Sequence, residues 1–142
     1  HLAGGGTTDL AAGPMVVDPS IYTDAALAEA EAQRLWLRAP LLAGFSSEIA
    51  APGERLLFEE LGHSLLVVRG SDGVARGFHN MCRHRGARLV GADGAACTSS
   101  DLLRCPFHGW TYALDGHLRA QPGRAGFEAL PRQELSLLPV PV

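Results

Sequence analysis

The sequence predicts a mainly β fold, a small antiparallel sandwich or barrel with one α-helix near its N-terminus. Three observations support this prediction. Seventeen glycines and nine prolines among 142 residues indicate many tight turns and therefore short strands. From about residue 41 onward, short apolar segments alternate with turn signals, whereas only one earlier segment has the composition of a helix. With 46% hydrophobic and 19% charged residues, the chain is long and apolar enough to form one globular domain with a buried core.

The single helix is predicted over residues 25–37, which are rich in Ala, Glu and Leu. Thr23 or Asp24 supplies the N-cap, and Pro40 ends the helix. Its apolar residues are expected to face a core, so that the helix packs on the outside of a sheet.

Strands are predicted from apolar segments that are bounded by Gly, Pro and Asp. The segment Leu-Leu-Val-Val at 65–68 is apolar throughout, as expected of a strand covered on both faces. A hairpin signal, Gly-Ser-Asp-Gly at 70–73, joins two of the strands. In chain order the predicted strands lie at 55–60, 64–69, 74–79, 102–104, 110–112 and, as a final edge strand, 135–142.

We divide the chain into an arm and one domain. Residues 1–13 are rich in Gly, Ala and Thr, and we expect a flexible N-terminal arm or tag remnant, since the chain starts at His1 rather than at Met. The domain itself is expected over residues 14–142. Three cysteines are an odd number for a disulfide framework, and no export signal or membrane-spanning apolar run is visible. We therefore predict a cytoplasmic protein that does not enter a membrane.

Charge argues against nucleic acid as a partner. The net charge is −3, and all twelve basic residues are Arg. Four of them lie beside the Cys/His motifs described next: Arg83, Arg85, Arg88 and Arg104. Arg85 and Arg88 are expected to steer an acidic partner, to offset negative charge at the bound metal group, or to be solvated surface residues.

Two short motifs carry the candidate chemistry. Cys82 and His84 form a C-x-H motif, and Cys105 and His108 form a C-x-x-H motif, with residues 85–104 between them. Two thiolates and two imidazoles on paired loops make a four-ligand metal site. Such a mixed set suits a tetrahedral zinc ion, and it equally suits a [2Fe–2S] cluster in which two histidines replace two cysteines on one iron. The third cysteine, Cys97, is interpreted as a bystander thiol.

The order of the ligands favours the iron–sulfur cluster. Structural zinc sites commonly use paired like ligands, whereas here each loop carries one cysteine and one histidine. In a Rieske cluster the two cysteines bind one iron and the two histidines the other, so each loop must span both irons. Gly86 and Gly109 allow the sharp turns that bring N–H groups close to sulfur, and Pro106 sets the entry angle of the second loop.

Segments 80–89 and 105–116 resemble the Rieske domain of aromatic-ring-hydroxylating oxygenase large subunits, and a weaker likeness extends over roughly 15–142. The resemblance implies a one-electron relay in a cluster-binding subdomain at about 79–113. It implies that Cys82 and Cys105 bind one iron, while His84 and His108 bind the iron nearer the surface. It also implies a reductase or ferredoxin as electron donor, and as acceptor a mononuclear iron catalytic domain of the same or a neighbouring subunit.

The same comparison suggests a low reduction potential. Ala87 and Phe107 stand where respiratory Rieske proteins carry an extra disulfide, and Trp110 stands where they present a serine hydroxyl, although Tyr112 remains. Fewer hydrogen bonds to sulfur stabilise the reduced cluster less. We therefore predict the low end of the class range of roughly −150 to +300 mV. The segment between the motifs is longer than expected, with the excess assigned to residues 91–100.

Three functions remain open at this point. The first is an electron-transfer domain from an oxygenase of aromatic hydrocarbon catabolism, a dioxygenase or monooxygenase whose catalytic domain is absent from this chain. No catalytic residues are predicted here, because the remaining histidines lack the spacing of a mononuclear iron site: His1, His63, His79 and His117. The second is a free-standing Rieske ferredoxin. The third is a structural zinc-binding module without a redox role.

Overall fold

The computed structural model describes residues 13–91 and 101–142. Cys97, nearly all of the predicted arm and nearly all of the 91–100 loop therefore lie outside the described residues. The chain forms two compact units, His1–Pro40 and Leu41–Val142.

The first unit contains the predicted helix. Helix α1 spans Ala25–Arg34, and Asp24 caps it by accepting hydrogen bonds from the backbone N–H groups of Ala26 and Leu27 at 2.8 and 3.1 Å. The helix is shorter than predicted, because the backbone tightens into a 3₁₀ turn at Trp36–Arg38. The expected buried face is absent, since no residue of α1 is buried. The reason is compositional: Leu27 is the only large apolar residue in α1, so the helix has no apolar stripe.

The second unit consists of two antiparallel sheets, which confirms the predicted fold class. The larger sheet has the strand order β1-β2-β3-β7 and the smaller one β4-β5-β6. The strands are β1 Arg55–Glu60, β2 His63–Arg69, β3 Ala75–His79, β4 Leu102–Arg104, β5 Thr111–Ala113, β6 Leu118–Ala120 and β7 Pro139–Val140.

Tight turns set the register of the larger sheet. Leu61 and Gly62 connect β1 to β2 with φ angles of 53° and 76°, the left-handed pair that matches strand twist in a two-residue hairpin. The predicted hairpin between β2 and β3 is also present. There the Asp72 carboxylate accepts a hydrogen bond from the Val74 N–H at 3.1 Å, and Gly73 adopts a φ of 79°.

The predicted C-terminal strand is much shorter in the structure. Strand β7 contains only Pro139–Val140 and pairs with Phe78 and Gly77 of β3. Leu135 instead ends a 3₁₀ turn that begins at Arg132. The physical reason is that prolines at 139 and 141 have no N–H to donate, which confines pairing to a short edge.

One hydrophobic core lies within the second unit, and both motif cysteines belong to it. Leu66 and Val68 of β2 are buried, whereas Leu65 and Val67 are half-buried, so one face of the strand is covered more completely than the other. All three residues of β5 are buried. No helix in the described parts of the chain is long and apolar enough to cross a membrane.

Candidate metal centre

Two six-residue loops, with the same backbone hydrogen bonds, carry the four candidate ligands. The first ligand loop is 82–87 and the second is 105–110. In each, the N–H of the first residue donates to the carbonyl of the sixth at 2.8 Å. In each, the N–H of the fifth residue, Gly86 or Gly109, donates to the cysteine carbonyl, at 3.0 and 3.1 Å. The two segments therefore form the same turn twice.

The fifth position explains the glycines that the sequence analysis singled out. Gly86 has a φ of 73° and Gly109 a φ of 70°. A Cβ is unfavourable in this left-handed conformation, so glycine is the residue that adopts it at least cost. The turn reverses the chain within six residues, which places the cysteine and the histidine of each loop on one short projection.

The two cysteines lie side by side in the core. Cys82 and Cys105 are 1% and 2% exposed, and both are free thiols. Burial raises the pKa of Cys82, hydrogen bonds from the Tyr112 hydroxyl and the His84 backbone lower it, and the neighbouring Cys105 thiol raises it again. A metal that binds here must displace these protons, since only the thiolate is a strong ligand.

The rings of the two motif histidines lie next to each other. The rings of His84 and His108 are 4.6 Å apart and nearly perpendicular, at 72°. Burial lowers the pKa of His84, and the nearby charges of His108 and Arg85 lower it further. The neutral imidazole, which is the metal-binding form, is therefore favoured. The Nδ1 atom of His84 is buried, and no hydrogen-bond partner for it exists among the described residues.

Aromatic rings surround the two histidines unequally. His84 stacks on Trp110 with a centroid distance of 4.9 Å and an interplanar angle of 10°, and Phe127 contacts both rings edge-on at 5.5 and 5.1 Å. Trp110 is fully buried. His108 is covered by Phe107 at 4.0 Å, and Phe107 is itself 65% exposed. Of the two imidazoles, His108 thus has the more solvent-facing neighbour.

The Tyr112 hydroxyl lies within hydrogen-bond distance of a motif sulfur. Its hydroxyl oxygen lies 3.3 Å from the Cys82 Sγ and accepts a hydrogen bond from the Arg83 N–H at 3.0 Å. Burial raises the pKa of Tyr112, so the hydroxyl keeps its proton. Because the Arg83 N–H occupies an acceptor site of the oxygen, the phenolic proton is free to point at sulfur.

The arrangement fits a binuclear cluster. Two adjacent thiols form one pair of donors, and two imidazoles, one with an unpartnered buried nitrogen, form the other. A Rieske cluster takes two cysteines on one iron and two histidines on the other, which matches this pairing. Within 13–91 and 101–142, no three side chains of His, Cys, Asp or Glu are placed closely enough to hold a metal ion.

The arginines near the loops are partly engaged. The Arg88 side chain forms an ion pair with Glu59, and Arg83 Nη2 donates to the Glu134 carbonyl at 3.2 Å. Arg85 and Arg104 are exposed.

Sequence reasoning assigned no role to two residues that shape this region, Asn80 and Phe127. Asn80 lies two residues before Cys82 and is 3% exposed, and its closeness to the motif is the one local signal for it. Phe127 lies well beyond the second motif, and nothing in the local pattern points to its contact with His84. The other described histidines are exposed or half-buried outside the loops: His63, His79 and His117.

The chain is similar to proteins of a known family. Residues 39–132 match the family model for the Rieske [2Fe-2S] domain. The chain is 31% identical over 121 residues to the carnitine monooxygenase oxygenase subunit of Acinetobacter baumannii, covering 85% of this chain and 32% of that protein. It is 40% identical over 106 residues to the biphenyl 2,3-dioxygenase alpha subunit of Rhodococcus jostii, covering 75% and 22%.

Solved structures show the same fold. A quaternary ammonium Rieske monooxygenase in complex with L-carnitine superposes with a TM-score of 0.75 at 28% identity, over 86% of this chain and 34% of that one. Naphthalene 1,2-dioxygenase from Rhodococcus sp. gives the same TM-score and identity, over 87% and 28%.

The chain spans about a third or less of the length of these relatives. They include oxygenases named for quaternary ammonium compounds as well as for aromatic ones, so the expectation of aromatic hydrocarbon catabolism is not supported. The matched domain and the paired donors lead to one conclusion: the chain belongs to the Rieske [2Fe–2S] domain family, whose members bind the Rieske-type cluster, and it is homologous to the Rieske oxygenase alpha subunits.

Proposed function

We propose that this domain transfers single electrons within a Rieske oxygenase, through a cluster held by Cys82, Cys105, His84 and His108. The observation that carries the proposal is the separation of the four donors into a buried thiol pair and an imidazole pair on two matching loops. A bound [2Fe–2S] cluster supplies reversible one-electron chemistry, and the imidazole ligands raise its potential above that of all-cysteine clusters.

The residues around the candidate ligands have two roles, to shield His84 from water and to leave His108 near the surface. Trp110 and Phe127 exclude water from the face of His84, because Trp110 stacks on that ring and Phe127 closes its edge. His108 lies against an exposed residue, Phe107, and so offers the shorter route to a redox partner. We infer that electrons enter and leave at the second ligand loop.

The expected potential is at the low end of the Rieske range. Ala87 and Phe107 leave the loops without a disulfide, and Tyr112 is the one side-chain hydroxyl found within hydrogen-bond distance of a described motif sulfur. A single such donor stabilises the reduced, more negative cluster only modestly. A redox titration tests this proposal, and a midpoint well above about 0 mV would contradict it.

The partners are proposed by analogy with the relatives. These relatives are oxygenase or alpha subunits, which implies an electron donor such as a reductase or ferredoxin. A mononuclear iron catalytic domain, of the same or a neighbouring subunit, is the proposed acceptor. Quaternary ammonium compounds and aromatic rings are both substrate classes among these relatives.

Metal analysis and spectroscopy of the purified chain test the cofactor assignment. We expect about two irons and two inorganic sulfides per chain, with a visible absorption band that bleaches on reduction by dithionite. A colourless protein with one zinc per chain would instead establish the zinc-binding module.

A further inference from the structure

Asn80 is a buried polar residue whose side chain uses all of its hydrogen-bonding capacity. Its Oδ1 accepts from the N–H groups of Leu89 and Val90, at 3.1 and 3.0 Å. Its Nδ2 donates to the Val90 carbonyl at 2.8 Å and to the Ser64 Oγ at 3.1 Å. An amide has two acceptor sites and two donor protons, so each is matched.

These bonds bracket the first ligand loop. Asn80 lies two residues before Cys82, and Leu89 and Val90 lie just beyond the six-residue turn, so one side chain ties together the two ends of the segment. The Asn80 N–H also donates to the Ser64 carbonyl at 2.9 Å, which attaches the bracket to β2. The second ligand loop is closed differently, by the pairing of β4 with β5 at Arg104 and Thr111.

The hydrogen bonds of Asn80 continue through Ser64 to Glu59 in β1. Ser64 Oγ donates to Glu59 Oε1 at 3.0 Å, and the same carboxylate oxygen accepts from Arg88. Arg88 lies between the turn and the bracketed residues. The resulting ring of contacts runs from Asn80 through Ser64 and Glu59 to Arg88 and returns along the backbone, and it fixes the segment 80–90 against the larger sheet.

We propose that Asn80 is a positioning residue for the cluster. It holds the first ligand loop closed, so that Cys82 and His84 keep the orientation that the cluster requires with respect to the second loop. The proposal rests on the proposed assignment of Cys82 and His84 as ligands. A buried hydrogen-bonded amide resists removal, because its partners would be left without bonds in the core.

The test compares Asn80→Ala with Ser136→Ala in the 142-residue chain carrying its cluster. Ser136 is the control, since its hydroxyl also accepts a partly buried bond, from the Leu118 N–H, and donates an exposed one to the Arg132 carbonyl, but outside both loops. We expect Asn80→Ala to release the cluster to a chelator about tenfold faster or more, measured as loss of visible absorption. We also expect the Leu89 and Val90 amides to lose hydrogen-exchange protection and the g-values of the reduced cluster to shift.

Release from Ser136→Ala is expected at a rate close to that of the unsubstituted chain, even where its melting temperature falls. Two results would overturn the proposal. In the first, Asn80→Ala releases the cluster as slowly as the unsubstituted chain. In the second, its faster release is fully explained by its loss of thermal stability, with Ser136→Ala giving the relation between release rate and stability. If Asn80→Ala does not fold, Ser64→Ala serves instead, because it removes one of the four bonds. It should release the cluster about two- to threefold faster, and an unchanged rate with unchanged exchange overturns the proposal.

Failure of the ligand assignment gives a different result. If the unsubstituted chain takes up no iron, or Cys82→Ser keeps the cluster, then the proposed function is wrong. The exchange protection of Leu89 and Val90 can be measured in either case, because it does not require the cluster.

Discussion

The two ligand loops have the same backbone and different surroundings. In the first loop, the cysteine contacts Tyr112, the histidine stacks on Trp110, and Asn80 closes the ends. In the second loop, a strand pair closes the ends, and the histidine lies under the exposed ring of Phe107. The comparison teaches that the turn sets where the ligands are, whereas the side chains that surround each ligand, from the other loop and from elsewhere in the chain, set its solvent exposure and its rigidity.

Loss of either cysteine is the largest expected effect and tests whether the loops are equal as ligand donors. Cys82→Ser and Cys105→Ser should each abolish cluster binding, because the two thiolates share one iron. Iron and sulfide content with the visible spectrum measures this. An intact cluster in one variant would show that its loop is dispensable.

Removal of the aromatic ring beside each histidine tests the difference in burial. Trp110→Ala empties a fully buried site and should lower the free energy of unfolding by about 3–5 kcal/mol. Phe107→Ala removes an exposed ring and should change it by no more than about 0.5 kcal/mol. Chemical denaturation of the two variants measures both values. Similar losses would mean that the surroundings of the two loops are equivalent after all.

The glycines test the equality of the two turns. Gly86→Ala and Gly109→Ala should each lower stability by about 1–2 kcal/mol, because both residues have positive φ. The costs should be alike, since an added Cβ would come no closer than 3.9 Å to Met81 in the first loop and 3.4 Å to Arg104 in the second.

Gly123→Ala is the control for these two variants, because Gly123 has a φ of 68° and open space around its Cα. It should show the same loss of stability, with unchanged cluster retention. We expect faster cluster release from Gly86→Ala and Gly109→Ala than from Gly123→Ala, and equal release from all three would remove the special role of the turns.

The smallest expected effect concerns Tyr112 alone. Tyr112→Phe removes the hydroxyl beside the Cys82 Sγ, and the midpoint potential should fall by about 20–60 mV, the equivalent of one hydrogen bond in a one-electron couple. The sign follows because a donor to sulfur stabilises the more negative reduced state. Tyr22→Phe is the matched control, since Tyr22 is exposed in the first compact unit. A rise in potential, or an equal fall in the control, would contradict this reading of Tyr112.

Local patterns predicted much of the fold because the decisive signals are short in sequence. Strand β1 lies at the predicted residues 55–60, and the hairpin at 70–73 is present, since both depend on neighbouring residues. The C-terminal strand is shorter than the predicted 135–142, because two prolines without N–H groups interrupt the weak alternation of apolar residues. The predicted buried helix face relied on apolar residues of 25–37, but α1 ends at Arg34, contains one large apolar residue and has no buried residue.

The candidate site shows the same difference between residues with a local sequence signal and residues with long-range contacts only. The four candidate ligands could be proposed from the sequence because their spacing is a local property of each loop. Asn80 and Phe127 could not be assigned, because their roles exist only through contacts with residues that local periodicity does not link to them, Ser64 and Val90 for the one and His84 for the other.

The pairing of Gly77 with Val140 has a consequence for how the molecule assembles. A Cβ at position 77 would lie 2.8 Å from the Val140 carbonyl oxygen, so β7 passes directly against the backbone of β3. Strands β1 to β3 are joined by local hairpins, whereas β7 must return across all of residues 80–138. Long-range pairing forms slowly, because loop-closure entropy is lost before contacts reward it. We therefore expect the larger sheet to be completed late in folding, after both ligand loops have left the ribosome.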